Sequence, residues 1–188
     1  MLLNYKLYLR YIMAKANFSF VNNLSQCEKN YNILILPQYL LYVSTHFRFS
    51  SAFPVTQLTD IMSYEVPVSN PSLGSMSSYA PESSSVIIYN FHSLHSQDRF
   101  FVFTQPGHSN ASVSSVTEVY SAANWLEREV AELNGVTFAG KKDLRNLMLQ
   151  YGDSSHPFKK SFPSIGLKEM FYDPIKDTIV QNPLSVQL

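Results

Sequence analysis

The sequence has a single cysteine, Cys27, and that scarcity removes several classes of function at once. A disulfide framework needs at least two cysteines. An iron–sulfur cluster normally takes four thiolates, and a cysteine-based zinc site fails on the same count. Long apolar runs are missing as well. The most apolar stretch, residues 32–43 (NILILPQYLLYV), is broken by Pro37 and Gln38, whereas a membrane-spanning helix needs about 20 apolar residues. No charge dominates: 14 basic and 14 acidic side chains cancel, without the basic surplus of a nucleic-acid binder. Neither G-x-G-x-x-G nor a P-loop occurs, so nucleotide binding has no support. No nucleophile–base pair or carboxylate dyad stands out, which argues against an independent enzyme.

What is present suits a folded scaffold. The 188 residues are 45% hydrophobic and 14% aromatic, enough for one core-bearing domain with an appendage. Residues 1–30 read as an extension with a short helix. Lys6, Arg10 and Lys15 precede the first acid, Glu28, a faint organelle-targeting pattern. Because Met1 is retained, uncleaved synthesis inside the organelle is the expectation. The folded domain is expected over residues 31–150. Residues 32–36 form a short strand, Pro37 opens a helix carrying Leu40, Leu41 and Phe47, and residues 57–64 (QLTDIMSY) form a second strand with Leu58, Ile61 and Met62. A long Pro/Ser loop spans 65–83. Residues 85–91 (SVIIYNF) and 99–104 (RFFVFT) then predict an antiparallel hairpin, followed by the loop PGHSNASVSS.

The clearest element is a helix over 124–133. Asn124 is its expected N-cap, Glu127 the capping-box partner and Gly135 the left-handed C-terminal cap. A second short helix is expected over 142–149. Residues 151–188 are punctuated by Pro157, Pro163, Pro174 and Pro183 and show neither helical nor strand period. Isolated anchors such as Phe158, Phe162, Met170 and Phe171 recur there, the pattern of an extended tail that orders on a partner.

Residues 114–163 carry a resemblance. Ala122-Ala123-Asn124-Trp125, Glu127-Arg128-Glu129, Gly135, Asp143-Leu144-Arg145, Tyr151-Gly152, His156-Pro157, Lys160 and Phe162-Pro163 stand in an ordered set. This set resembles the signature region of the NADH dehydrogenase subunit 9 family, the thirty-kilodalton subunit of the peripheral arm of respiratory complex I. Upstream, QLTDIMSYEVP and VIIYNFHSL are also similar. Asn134 replaces a usual aromatic, Lys141-Lys142 a usual His-Pro, and Ser161 a usual Asp. The resemblance implies an α+β fold: a two-layer domain with a mixed or antiparallel sheet, helices on one face, and an extended carboxy-terminal tail. It also implies a non-catalytic subunit of the peripheral arm, on the matrix side of the mitochondrial inner membrane. No cofactor is implied in this chain; FMN and iron–sulfur clusters are expected in other subunits. Its tail, with His156, Pro157, Phe158, Lys160, Phe162 and Pro163, is implied to embrace the forty-nine-kilodalton-type subunit of the quinone module.

Residue by residue, the bland readings compete. With Trp125 at zero and about 100° per residue, Ala122, Leu126, Val130 and Leu133 cluster on one helical face with Glu129 among them. Glu129 is therefore expected to be buried and paired, Arg145 being the first candidate partner. His92, His95 and Asp98 suggest a metal site only weakly, because positions 92 and 95 face opposite sides of a strand. Cys27 reads as an incidental thiol, and the His156–Lys160 run as an interface anchor rather than a catalytic patch. Two classes of function remain: a structural subunit of a multisubunit oxidoreductase, and a free-standing adaptor that binds an unrelated partner through its tail.

Overall fold

Alternation of buried and half-exposed residues builds the centre of a sheet in the computed structural model, which describes residues 19–21, 30–50, 55–67, 83–95, 97–106 and 112–184. In β2 (Asn30–Ile35), Tyr31, Ile33 and Ile35 point into the core. In β5 (Arg99–Thr104), Phe100, Val102 and Thr104 do the same. These strands pair in parallel, Ile33 opposite Val102, so their apolar faces coincide. On one side β1 (Ser19–Val21) adds antiparallel to β2. On the other, β4 (Ser83–Ser93) and β3 (Thr56–Pro67) continue antiparallel, giving the order β1-β2-β5-β4-β3. The sheet is thus mixed, one of the two forms expected. It begins earlier than residue 31, because β1 belongs to it.

A bulge between Leu58 and Asp60 in β3 lets Leu58 and Ile61 face the core despite their spacing of three. The Asp60 carboxylate accepts the Ile61 N–H there at 2.8 Å. Met62 points away and is exposed. The 65–83 loop is shorter than the sequence implied, since the strands run to Pro67 and start again at Ser83. Its interior, with the expected amino-terminal helix and Cys27, lies outside the described residues.

Pro37 starts a 3-10 turn (Pro37–Tyr39) that leads into α1 (Leu40–Phe49). Leu40, Val43, Ser44 and Phe47 form its buried stripe at helical spacing. The Phe47 ring lies 5.3 Å from that of Phe91 and 5.2 Å from that of Phe100. The second helix, α2 (Ala123–Asn134), shares this core through Ala123 and Val130. Both helices therefore cover one face of the sheet. A two-residue parallel pair, β6 (Val113–Ser114) with β7 (Phe138–Ala139), ties the entrance of α2 to its exit.

Three local expectations are corrected. First, the capping box does not form: Ala122 is the N-cap residue, without a side-chain hydrogen bond. Second, residues 142–149 are bends and irregular backbone, not a helix. Third, residues 151–188 are not extended throughout. They contain the antiparallel hairpin β8 (Lys168–Asp173) and β9 (Thr178–Pro183). Its strands are wet on both faces, so no apolar–polar alternation is written into the sequence. The turn signal was present: Asp173 accepts the Ile175 N–H before Pro174-to-Asp177 closes the loop, with Asp177 at φ 52°.

Candidate functional site

The signature residues converge on α2, whose charged side chains leave it in three directions. Glu127 enters the core completely. One carboxylate oxygen accepts the Val116 N–H at 2.8 Å, and the other accepts the Ser115 hydroxyl at 2.7 Å. Lys141 completes the set, its ammonium 3.2 Å from Glu127 and 2.9 Å from the Asn124 carbonyl. Both side chains of this ion pair are out of solvent. A carboxylate here is tolerable because its oxygens meet a cation and two donors. Tyr89 lies fully buried in the same core, and its hydroxyl is pushed well above the usual range by burial and then by the Glu127 charge.

Arg128 leaves the helix on another side. Its Nε donates to the Arg145 carbonyl at 2.7 Å and an Nη to the Asn146 carbonyl at 3.0 Å. The guanidinium sits 5.6 Å from the Trp125 ring centroid and 3.7 Å from Asp143. One turn further on, the buried Glu132 carboxylate accepts the N–H groups of Leu147, Met148 and Leu149, the first two at 2.7 and 3.0 Å. Burial pushes that carboxyl up, but these N–H groups and Arg128 outweigh it and hold the group below the usual carboxylate range. The absent helix over 142–149 is explained by this arrangement. Backbone groups that would bond one another along a helix are satisfied by Arg128 and Glu132 instead.

Glu129 does not take the role expected of it. It is half-exposed and has no hydrogen-bond or ion-pair partner among the described residues. Arg145 forks onto Asp143 through two 2.9 Å bonds instead. The cause is the helix phase. Ala122 is exposed and Leu126 only half-buried, so the face drawn through Ala122, Leu126, Val130 and Leu133 lies roughly a quarter turn away from the buried line. The inward line is Ala123, Glu127, Val130 and Asn134. Glu132 and Lys141 were missed because the one charge expected in the core was placed at Glu129 from the wrong face. The spacing of Glu127 from Ala123 and Val130 was the available signal.

The expected tail anchors divide. His156 Nδ1 donates to the Glu132 carbonyl at 2.7 Å, and the Phe158 N–H donates to the Leu133 carbonyl at 3.0 Å. The Lys160 N–H reaches the Glu65 carboxylate at 2.6 Å. Residues 156–160 therefore fasten to their own domain, which corrects the boundary at residue 151. Pro157 and Phe162 are half-buried, Pro163 is exposed, and the Phe158 ring faces solvent. Gly135 sits beneath this turn at φ 69°, as its cap position predicts. A Cβ there would lie 2.7 Å from the His156 ring and 2.8 Å from the Lys159 stem. His156 is pinned by its own hydrogen bond, so it cannot step aside. Gly135→Ala is expected to cost about 1–2 kcal/mol or more. Chemical denaturation measures this, and an unchanged midpoint would contradict it.

No group of three or more His, Cys, Asp or Glu side chains able to hold a metal ion occurs among the described residues. His92 is half-buried, His95 exposed and Asp98 buried. The charged cluster fixes residues 115–116 and 141–149 around one helix, and the last carbonyls of that helix hold residues 156–158.

The profile of the family described as "Respiratory-chain NADH dehydrogenase, 30 Kd subunit" matches residues 33–168. The NADH-ubiquinone oxidoreductase 30.4 kDa subunit of Neurospora crassa is 32% identical over 167 residues, covering 89% of this chain and 54% of the relative. The chain thus spans about half the length of that fungal protein. NADH-ubiquinone oxidoreductase subunit 9 of Paramecium primaurelia is 31% identical over 182 residues, covering 96% of this chain and 85% of the relative. Among solved structures, the trypsin-resistant fragment of Nqo5 shares the fold at TM-score 0.51 and 22% identity, over 72% of this chain and 98% of that one.

Proposed function

The chain belongs to the family of the 30 Kd subunit of respiratory-chain NADH dehydrogenase, and from that premise we propose that it is a structural and assembly subunit of the quinone-reducing module of mitochondrial complex I. In this reading it carries no catalytic residue. NADH oxidation, quinone reduction and proton translocation belong to the assembled complex, with FMN and iron–sulfur clusters in other subunits. It sits on the matrix side of the inner membrane, is made inside the organelle, and holds the forty-nine-kilodalton-type subunit. Among the described residues no helix is long and apolar enough to cross a membrane, which is compatible with a peripheral position. A free-standing adaptor is disfavoured by the family match.

The observation that carries the reading is the β8–β9 hairpin. Met170, Tyr172 and Ile179 share one of its faces, Ile175 stands at its tip, and all four are exposed, Ile175 by 93%. A lone two-stranded hairpin is marginal in water. Covering those side chains with a partner stabilises both the hairpin and the complex. Cutting the chain after Gly166 keeps the anchored residues 156–160 and removes the hairpin. The truncated chain is expected to retain the circular dichroism and unfolding transition of the domain, yet to be missing from complex I on native gels of complemented mitochondria. Normal incorporation would overturn the reading.

A further inference from the structure

Asn134 and Gly135 form the one Asn-Gly step in the sequence. This dipeptide is especially prone to deamidate, because the glycine carries no side chain to hinder its nitrogen as that nitrogen attacks the preceding amide. The nitrogen loses its proton and bonds to the Asn Cγ, ammonia leaves, and a cyclic imide closes. Water then opens the imide at either carbonyl, leaving Asp or isoaspartate where Asn stood. The chemistry needs no catalyst, but it has conformational demands. The glycine nitrogen must be released from its hydrogen bond. The Asn backbone must also leave the helical ψ, which holds that nitrogen away from Cγ.

The fold denies both demands. Asn134 is the last helical residue of α2 and only 4% exposed. The Gly135 N–H donates to the Ala131 carbonyl at 3.0 Å, with Gly135 at φ 69° and ψ 30° as the left-handed cap. Helix ends ordinarily fray. Here residues 156–160 form a strap across the end of the helix. His156 Nδ1 donates to the Glu132 carbonyl and the Phe158 N–H to that of Leu133. The Lys159 stem lies against Gly135 on the side where a Cβ would stand. The strap is tied at its far end to β3, where the Glu65 carboxylate accepts the Lys160 N–H.

We infer that Asn134–Gly135 is a latent deamidation site that the 156–160 strap keeps shut, so that opening of the strap exposes the chain to an irreversible chemical mark. The products themselves oppose reclosure. Asp at position 134 adds a carboxylate two residues from Glu132, at the negative end of the α2 dipole. Isoaspartate routes the main chain through its Cβ, which adds an atom between the Ala131 carbonyl and the Gly135 N–H and spoils the register of the cap. A chain that lingers with the strap open is marked, and one that closes promptly is not. This holds whatever partner the chain has.

The test is peptide mass spectrometry of the purified full chain, held for days in mildly alkaline buffer at physiological temperature. Folded wild type should convert at position 134 about tenfold or more slowly than the same chain unfolded in guanidinium chloride. His156→Ala, which removes one bond of the strap, should speed conversion in the folded chain about threefold or more. Lys159→Ala removes only the stem on Gly135 and should act in the same direction. Ile33→Val lowers stability in the sheet, far from the strap, and should leave the rate at 134 unchanged. Equal rates in folded and unfolded wild type would show that the fold does not shut the site. Strap variants that match wild type, or that speed conversion no more than Ile33→Val does, would take its control away from the strap. No conversion in the unfolded chain would remove the site altogether.

Discussion

Glu127→Ala is expected to lower folding stability by about 3–5 kcal/mol, the cost of breaking one side of a buried ion pair. The substitution strands more than the Lys141 ammonium. The Val116 N–H and the Ser115 hydroxyl lose their acceptor as well, although Ser115 keeps a 2.9 Å contact with the Thr117 hydroxyl. Among the described residues Lys141 retains only the Asn124 carbonyl. Buried pairs can often be replaced by apolar residues at little cost. Here Glu127→Leu with Lys141→Met should recover only part of the loss, because the Val116 N–H stays without an acceptor inside the core. A double-mutant cycle with Glu127→Ala and Lys141→Ala, read by chemical denaturation, isolates the pair. A loss of under about 1 kcal/mol for Glu127→Ala would contradict the geometry described.

Glu132→Gln should act more locally. An amide has one acceptor oxygen, and its NH2 faces the N–H donors of residues 147–149 without complement. The expected cost is about 1–3 kcal/mol, with hydrogen exchange accelerated at residues 147–149 and much less in the sheet. The pH dependence follows from the depressed carboxyl. In the unfolded chain a glutamate titrates near about 4.3. Its stabilising contribution is therefore complete above that value and is lost as pH falls through the lower folded value. Asp143 and Asp153 are held low as well, so the wild-type curve alone does not isolate Glu132. The difference between wild-type and Glu132→Gln stability should be largest near neutrality and shrink on acidification. A difference that is flat with pH would show that the carboxylate charge is not what holds the segment.

The strands were legible because burial on one face imposes a period of two: RFFVFT is β5, and NILI lies within β2. Gly135 was legible because a left-handed cap asks for a residue without Cβ. The helix phase was not, because the apolar Ala122 and Leu126 stay partly in solvent while a glutamate is buried beside a lysine. Lys141 illustrates the limit. It stands where the resembled family usually has another residue, and only the fold brings it to Glu127, fourteen positions away in sequence. Residues 142–149 were unreadable for a similar reason. Their backbone partners are side chains of α2, and no local propensity encodes a bond made at such separation. The hairpin β8–β9 lacked periodicity because neither of its faces meets a core.

The parallel pairing of β2 with β5 also dictates an order of events during synthesis. Asn30 must find Arg99, so the centre of the sheet closes only after α1, β3 and β4 have emerged between them. The meander β3–β4–β5 pairs through sequence neighbours and can zip first, since short loops close at lower entropic cost. Until then β2 waits on the nascent chain with Ile33 and Ile35 unprotected, and while β1 can cover one of its edges the edge that β5 takes stays open. Such a strand is a template for wrong partners. The long crossover prolongs that exposure for as long as the intervening strands take to emerge, the condition under which a nascent chain is prone to misassembly.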